Sequence, residues 1–481
     1  MRLFFMSWDG KEFGLSDVVA QLGGNSHEIV YWTYFNESSV DRAKFPSTIF
    51  HSVFDALAGK PAEGIDVSNF HPPGEELITE FQETELTVLT MMNKKYWDIS
   101  LEERKHLYYG FLSYWSGVLQ ALKPDAIIYS AIPHTVYDFV VYDLAMKMHI
   151  KVIIFEPVLL TNGYTIVMND YKKGSVALLD EMKRNESKQF SLTDLRPETR
   201  THYQKHAEVG EDVSPHYTRQ VLTLYKGVGL FLAKLRSVWT SLLVHKDFSV
   251  FVTLLTYVPR TLGPNLKKEY VRVQSRADFS EKFIYATLQY QPEAQTCPQA
   301  GVFVDQLLMI ETLSASLPEG WLVYVKEHPA LWLLRGLKFY NFRYRGYYKA
   351  IAKLKNVKVV PIGTSSFQLI RHSQVVATGA GSVGWEAILR SKPVLVFGYP
   401  WYQHSEGAFK VKDTASCKAA VQKIMNGFKV SQQKVINLLA CLDTVSVEAY
   451  FDSYTHEISK IDRRQNVHNL VLAIETELSP R

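Results

Sequence analysis

Short apolar runs alternate with amphipathic stretches over the first 175 residues. Runs rich in Ile, Val, Tyr and Phe, which favour strands, stand between stretches with helical spacing. Because strand–helix–strand units imply a parallel sheet covered by helices, residues 1–175 are expected to form a Rossmann-like lobe. The predicted strands are 3–7, 27–34, 126–129 and 151–155, and the predicted helices are 13–22, 107–122 and 135–149.

The same alternation returns over residues 276–412. It predicts a second Rossmann-like lobe, again with a parallel sheet between layers of helices. The predicted strands are 283–289, 321–326, 357–360, 375–378 and 394–397, and the predicted helices are 301–316, 365–372 and 382–390.

Residues 176–275 and 413–481 show no clear alternation. The first segment is charged and then becomes apolar and basic with helical spacing, which predicts a helical insertion or connector. The second is expected to form terminal helices that pack back on the lobes. An α/β fold of two Rossmann-like lobes with a central cleft, a helical connector and C-terminal helices is a GT-B-like architecture.

Composition narrows the class of protein. Of 481 residues, 47% are hydrophobic and 21% are charged, which is typical of a globular chain. The net charge of +4 does not support nucleic-acid binding. Cys297, Cys417 and Cys441 lie far apart, with neither metal-ligand spacing nor a disulfide framework, so a reducing compartment is expected.

Export and membrane signals are weak. The apolar start reaches Asp9 without a small-residue cleavage site, so a cytoplasmic protein is expected. Charges interrupt the apolar stretch 227–259, and its uncharged piece 248–259 is shorter than the roughly 20 residues of a membrane span. Within 220–260, the basic apolar residues 225–246 are expected to form a connector helix, and the alternative is peripheral contact with the inner membrane.

A cation and an imidazole follow the predicted strand 321–326. Lys326 and His328 stand at its carboxyl end, and Pro329 favours extended geometry at His328. Ligands of open α/β sheets bind beyond such strand ends, where an ammonium and an imidazole donor suit phosphate oxygens. The structural alternative is an edge lysine and a histidine that simply precedes a turn.

A glycine-rich turn joins strand 375–378 to helix 382–390. Gly379 and Gly381 permit positive φ and close approach of the backbone, and Ser382 can cap the helix, whose N-terminus favours an anion. Glu386, one turn later, could accept hydrogen bonds from ribose or base hydroxyls. The glycines also match GxGxxG, but no acidic residue ends the next strand as a dinucleotide site requires, and an ordinary strand-to-helix turn is the alternative.

Carboxylates and a further imidazole follow other strands. Glu293, after Pro292, is expected to point into the cleft, where it could serve as a general base or as a nucleophile; the alternative is a first-turn helix residue. His134 and Glu156 stand at strand ends of the first lobe and are second-rank candidates for acceptor contacts.

Other charged groups are expected to be mainly structural. Arg343 and Arg345, near Lys349, are expected to form a solvated basic face, and the alternative is that they assist an anion. His202 and His206 share i, i+4 spacing without the glutamate of a zincin, and a solvated face is expected for them too. No Asp-x-Asp or paired cysteines support a metal site, and residues 380–384 lack the first glycine of a serine-hydrolase motif.

Three motifs carry a family resemblance, and they occur in the order LQYQPEAQT, GWLVYVKEHP and VVATGAGSVGWEAILRSKPVLVFGYPWY. Together they resemble the capsule polysaccharide biosynthesis family of bacterial glycosyltransferases, which includes Kdo-transferring enzymes of GT-B type. The resemblance covers about residues 280–405, is weak over the first lobe and is absent over 176–275.

The resemblance implies a glycosyltransferase that needs no metal and no cofactor. The donor would be a nucleotide-sugar such as CMP-Kdo, and the acceptor a glycan or lipid-linked glycan of a surface polysaccharide. His328 with Lys326 would contact the nucleotide phosphate, and Ser382 and Glu386 would hold phosphate or ribose. Related Kdo enzymes carry an acidic catalytic residue before the His-Pro pair, often Asp, which implies a catalytic Glu293.

Two alternatives stay open at this point. A CDP-alditol phosphotransferase of the teichoic-acid type would also place a histidine near the donor phosphates. A non-catalytic glycan-assembly subunit could keep the same fold, since fold alone does not establish activity.

Overall fold

The structure is a computed structural model that describes residues 1–96, 98–158, 160, 163–207, 236, 239, 266–291, 293–332 and 342–479. Within these ranges two sheets are each covered by helices, which confirms the predicted α/β class and the two Rossmann-like lobes of a GT-B-like fold. The stretch 220–260, for which a connector helix or membrane contact was predicted, lies outside the described residues except for Arg236 and Trp239.

Strands and helices follow one another along both lobes. The strands are, in chain order, β1 (Arg2–Met6), β2 (Glu28–Tyr34), β3 (Ile49–Ser52), β4 (Ala126–Tyr129), β5 (Lys151–Val158), β6 (Tyr164–Met168), β7 (Lys282–Thr287), β8 (Trp321–Lys326), β9 (Val357–Val359), β10 (Val375–Thr378), β11 (Val394–Val396), β12 (Ala408–Lys410) and β13 (Val447–Glu448). The apolar runs do not predict β3, β6, β12 and β13, and three of these strands lie at sheet edges.

Several helices begin at a side-chain cap that the sequence supplies. They are, in chain order, α1 (Leu15–Gly24), α2 (Val53–Leu57), α3 (Glu75–Glu80), α4 (Gln82–Met92), α5 (Leu101–Leu122), α6 (Val136–Lys147), α7 (Val176–Arg184), α8 (Pro197–Ala207), α9 (Leu266–Val273), α10 (Gln306–Ser314), α11 (Tyr347–Ala352), α12 (Ser366–His372), α13 (Ser382–Leu389), α14 (Thr414–Met425), α15 (Gln432–Val445), α16 (Ser453–Ile458) and α17 (Arg463–Leu478). At the start of α5, Ser100 and Glu103 each bind the other's backbone N–H, which is a capping box.

The first sheet has the order β13-β6-β5-β4-β1-β2-β3 in the described part of the chain. The strands from β5 to β3 pair in parallel, whereas β6 and β13 add antiparallel pairs at the other side. Both faces of this sheet are buried. Phe4 and Met6 belong to the core on one face, and Leu3 and Phe5 to the core on the other, because successive side chains of a strand point in opposite directions.

The second sheet has the order β12-β11-β10-β7-β8-β9, and its pairs are parallel throughout the described residues. β7 therefore lies between β10 and β8. This order places the segments that follow β10, β7 and β8 side by side, which determines where the candidate site forms.

The C-terminal residues 413–479 run from the second lobe back to the first. Helix α14 packs on α10 of the second lobe, and α15 packs on α7. Helix α17 packs on α1, and β13 joins the edge of the first sheet. The two lobes are thereby connected by this segment as well as by the chain that precedes β7.

Candidate functional site

The carboxyl ends of β10, β7 and β8 meet at one edge of the second sheet. Thr287 at the end of β7 pairs with Lys326 at the end of β8, and Ala377 in β10 pairs with Ala286 in β7. Ligands of parallel α/β sheets bind outside this edge. The three segments that carry the sequence motifs are therefore neighbours in space.

A cavity of about 410 Å³ lies beyond this edge. Its volume is in the range of small-molecule sites, roughly 300–1,000 Å³. Its walls also include the ring of Tyr290 and the loop 362–366. Of the residues singled out from the sequence, those on the lining are Glu293, Lys326, His328, Gly381, Ser382 and Glu386.

Lys326 brings a positive charge to the cavity wall. Only 7% of the residue is exposed, and Nζ donates hydrogen bonds to the carbonyl oxygen of Thr364 at 2.6 Å and to Oγ of Ser366 at 2.8 Å. The ammonium is thus anchored to the loop before α12. A fixed cation at this position favours an anionic ligand.

His328 lies on the lining next to Tyr290, with 5.8 Å between the ring centroids. Burial lowers the pKa of His328 to about 4, and the neighbouring cations Lys326 and Arg343 act in the same direction against the opposing effect of Glu327. The imidazole is therefore neutral at pH 7. A neutral imidazole retains one N–H donor, which can bind a phosphate oxygen.

Arg343 is buried, so the predicted solvated basic face is wrong for this residue, whereas Arg345 is exposed. The reason is a carboxylate that follows β8. Glu327 is fully buried and pairs with Arg343, with 3.0 Å between Nε and Oε2. A buried carboxylate requires such a partner. Burial acts to lower the pKa of Arg343, but Glu327, Tyr347 and Tyr348 together outweigh it and the net shift is upward.

The glycine turn after β10 is shaped by Gln289. A Cβ at Gly379 would lie 2.6 Å from Oε1 of Gln289, and one at Gly381 would lie 2.2 Å from its Nε2. Gln289 Oε1 also accepts the N–H of Ala380 at 3.3 Å. The glycines are needed for this close approach rather than for positive φ, since Gly381 has φ of −77°.

The start of α13 differs from the prediction in one respect. Gly381 is the N-cap residue and Ser382 is the first residue of the helix, so Ser382 does not cap it. The N-terminus of α13 nevertheless borders the cavity through Gly381 and Ser382. Gly379 lies behind that lining, against Gln289 and Ala300. Glu386, one turn into the helix, is 3.9 Å from Nη1 of Arg390.

Glu293 lies between the two lobes. Its exposed side chain lines the main cavity and also a small pocket that it shares with Lys94 and His134 of the first lobe. His134 is fixed by a 2.7 Å hydrogen bond between Nδ1 and the carbonyl oxygen of Ile132, and burial lowers its pKa. The structure therefore brings His134 near Glu293.

Glu156 is directed elsewhere, toward Gln299 of the second lobe. Burial raises the pKa of Glu156 to about 8, and a hydrogen bond with Gln299 partly offsets this. Glu156 is not among the residues that line the main cavity or the His134 pocket.

His202 and His206 do not form a solvated face, so that prediction is wrong. They are 8% and 6% exposed, because α8 packs against α13. Within the described ranges, His, Cys, Asp and Glu side chains nowhere gather in threes at metal-binding geometry. The helices in those ranges all fall short, in length or in apolar character, of what a bilayer span requires.

Three parts of the site were missed from the sequence. They are the amide of Gln289, the ring of Tyr290, and the Glu327–Arg343 pair. Glu327 offered a signal, because a carboxylate directly after a buried strand needs a cation nearby. Because Arg343 lies on a different segment, the sequence does not show that it is the cation that pairs with Glu327.

A model of one known family matches the second lobe. Residues 272–416 match the capsule polysaccharide biosynthesis protein family, which confirms the family resemblance over this part of the chain. The matched residues contain the three motifs and every segment on the cavity lining. No curated protein matches the chain as a whole or in part.

Several solved structures are similar to this chain at low identity. The KpsC β-Kdo 2,7 transferase of Thermosulfurimonas dismutans has 12% identity and a TM-score of 0.30, over 78% of this chain and 97% of that one. The α,α-trehalose-phosphate synthase of Burkholderia vietnamiensis has 10% identity and a TM-score of 0.29, over 99% of this chain and 100% of that one. The UDP-GlcNAc 2-epimerase of Neisseria meningitidis, bound to UDP-GlcNAc, has 12% identity and a TM-score of 0.24, over 99% and 98%.

Proposed function

We propose that this protein is a glycosyltransferase that moves a sugar from a nucleotide-sugar to a glycan acceptor in capsule or other surface-polysaccharide synthesis. One observation carries the proposal. Lys326, His328 and the N-terminus of α13 line the same cavity as the carboxylate of Glu293, which also reaches the first lobe. The family match over residues 272–416 supports the same class of reaction.

The donor's phosphate would lie between the imidazole of His328 and the N-terminus of α13. Lys326 adds a fixed positive charge on the same wall. Negative charge grows on the phosphate as its bond to the anomeric carbon breaks, and groups already aimed at that oxygen stabilise it. Glu386, on the same lining, would accept hydrogen bonds from the ribose hydroxyls.

Glu293 would act on the sugar or on the acceptor. As a general base it takes the proton of an acceptor hydroxyl while the acceptor oxygen bonds to the anomeric carbon and the nucleotide leaves with the bonding electrons. As a nucleophile its carboxylate bonds to the anomeric carbon while the nucleotide leaves with the bonding electrons; in a second step the acceptor oxygen loses its proton to solvent, bonds to the same carbon and displaces the carboxylate. His134 shares a pocket with Glu293 and is a candidate acceptor contact.

The preferred donor is a CMP-sugar such as CMP-Kdo, from the motif resemblance, and the reaction would need neither a metal nor a cofactor. A lipid-linked glycan would be an acceptor of matching chemistry, met by a cytoplasmic protein at the inner membrane surface. Product analysis separates this reaction from CDP-alditol phosphate transfer, because only the latter leaves phosphorus in the polymer.

Calorimetry of the full chain with CMP-, UDP-, GDP- and CDP-linked donors tests the proposal. One class is expected to bind, and His328→Ala is expected to weaken that binding. His372→Ala is the control, because His372 is an exposed histidine of the same lobe. The proposal fails if the wild-type protein binds none of these donors.

A further inference from the structure

The guanidinium of Arg343 connects two segments that carry candidate site residues. Only 1% of its side chain is exposed, and Glu327 beside it is completely buried. Arg343 belongs to neither segment, since it lies shortly before the turn that leads into α11. Its contacts fall on two sides, one toward His328 and one toward the loop that leads to Glu293.

On the first side, Arg343 holds Glu327 with two hydrogen bonds. Nε donates to Oε2 at 3.0 Å and Nη2 donates to Oε1 at 3.4 Å. Glu327 Oε1 in turn accepts the backbone N–H of His328 at 2.8 Å, and Tyr348 donates its hydroxyl to Oε2 at 2.7 Å. The orientation of Glu327 therefore helps to fix the position of the backbone at His328.

On the second side, Arg343 holds the segment after β7. Nη2 donates to the carbonyl oxygen of Gln289 at 3.2 Å, and Nη1 donates to the side-chain oxygen of Gln291. Gln306 reinforces this point, because its Oε1 accepts the backbone N–H of Gln289 at 2.6 Å. Gln291 is two residues before Glu293, so these contacts fix the base of the Glu293 loop.

The arrangement requires an arginine in particular. A guanidinium presents five N–H donors in one planar fork, whereas a lysine ammonium is a point charge on a flexible stem. Lysine at this position could keep the charge beside Glu327 but could not reach both segments at once.

Charge at this position also bears on the ligand. Glu327 lines the cavity together with Lys326 and His328. An unpaired carboxylate there would repel a phosphate. The positive charge of Arg343 neutralises the carboxylate and reduces this repulsion.

We propose that Arg343 and Glu327 are positioning residues that hold His328 and Glu293 in a fixed relative position for the transfer reaction. This inference rests on the proposed function. Neither residue is assigned contact with the substrate. A buried ion pair kept for stability alone can often be replaced by apolar residues without loss, but this pair binds directly to the segments on which both site residues stand.

Four variants of the full chain test the inference, and one of them, Arg343→Ala, is used for rescue by added guanidinium. Arg343→Lys keeps the charge and loses the fork, Glu327→Gln keeps the shape and loses the charge, and Arg345→Lys is the control at an exposed arginine two residues away. The readouts are the folded fraction, kcat per folded molecule, and Kd for whichever of CMP, UDP and CDP the wild type binds.

Arg343→Lys is expected to lower kcat about tenfold or more with Kd nearly unchanged, because small misplacements of reacting groups cost this much. Glu327→Gln is expected to tighten nucleotide binding by about fivefold, since Arg343 becomes an uncompensated charge near the phosphate, while kcat falls. Arg345→Lys is expected to match the wild type. Arg343→Ala with added guanidinium is expected to regain activity that ammonium does not restore.

A purely structural pair would lower the folded fraction and leave kcat per folded molecule and Kd unchanged, and that result would overturn the inference. Failure of the proposed function looks different, because the wild-type protein would then bind none of the nucleotides. If the wild type binds a nucleotide and Arg343→Lys keeps the wild-type kcat per folded molecule, the inference alone fails.

Discussion

The side-chain amide of Gln289 occupies the space that a methyl group on Gly381 would need, because a Cβ there would lie 2.2 Å from Nε2. Gly381 is also the N-cap residue of α13 and lines the cavity. The glycine turn and the segment after β7 are thus packed into one unit. A change on either side displaces the other.

Gly381→Ala is therefore expected to weaken nucleotide binding by about tenfold or more and to destabilise the protein by roughly 1–3 kcal/mol, the usual cost of overpacking. The matched control is Gly110→Ala in the exposed interior of α5, where a Cβ would have no atom within 4 Å. That change is expected to stabilise the protein by roughly 0.5–1 kcal/mol. For both variants, calorimetry measures nucleotide affinity and denaturant unfolding measures stability. Equal nucleotide affinity in the two variants would contradict this description of the turn.

His328 is expected to take up a proton when a nucleotide-sugar binds. Its pKa is lowered to about 4 in the free protein, and a bound phosphate favours the charged imidazole and raises that pKa. Affinity should therefore increase as the pH falls from 7 toward 5. Calorimetry in buffers of different ionisation enthalpy measures the proton uptake directly.

The comparison for this experiment is His328→Ala, which is expected to bind more weakly and to lose the proton uptake. A nucleotide-sugar is the suitable ligand, because its esterified phosphate does not titrate between pH 5 and 7. Proton uptake of the same size in His328→Ala would show that another group is responsible.

Glu156 is expected to make stability fall as the pH rises. Its folded pKa is raised to about 8, whereas an unfolded glutamate titrates near about 4.3. Between these values the folded state keeps a proton that the unfolded state has lost, so the free energy of unfolding decreases with pH. Glu156→Gln removes this loss. Its stability relative to the wild type should therefore be higher at pH 8 than at pH 5.

Urea unfolding at pH 5 and pH 8 checks the Glu156 prediction. Glu311→Gln, an exposed carboxylate on α10, is the control and should leave the pH dependence as it is in the wild type. If Glu156→Gln keeps the pH dependence of the wild type, the carboxyl is ionised in the folded protein at pH 7.

Much of the second lobe could be predicted from the sequence, because β7, β8 and β10 are short apolar runs that each end in distinctive polar residues. Parallel strands place such ends at one edge, so Lys326, His328 and Ser382 could be expected in one crevice from the sequence alone. The three motifs, taken in order, also resemble a known family. The family match over residues 272–416 confirmed that resemblance.

The sequence did not reveal which residues from different segments contact each other in the folded protein. The burial of Arg343 depends on Glu327, and the burial of His202 and His206 depends on α8 packing against α13. Charged residues read one segment at a time look solvated, since nothing local shows the element that covers them. The same limit applies to Gly381, whose neighbour Gln289 lies in the segment that follows β7.

The central claim is that one cavity holds an activated sugar by its phosphate while Glu293 carries out the transfer. Glu293→Gln tests it most directly, with sugar transfer and nucleotide binding measured on the same preparation of the full chain. Transfer should fall by about a thousandfold or more, because the amide neither takes a proton nor attacks carbon, while Kd for the nucleotide stays at the wild-type value. Transfer at the wild-type rate by Glu293→Gln would contradict the account.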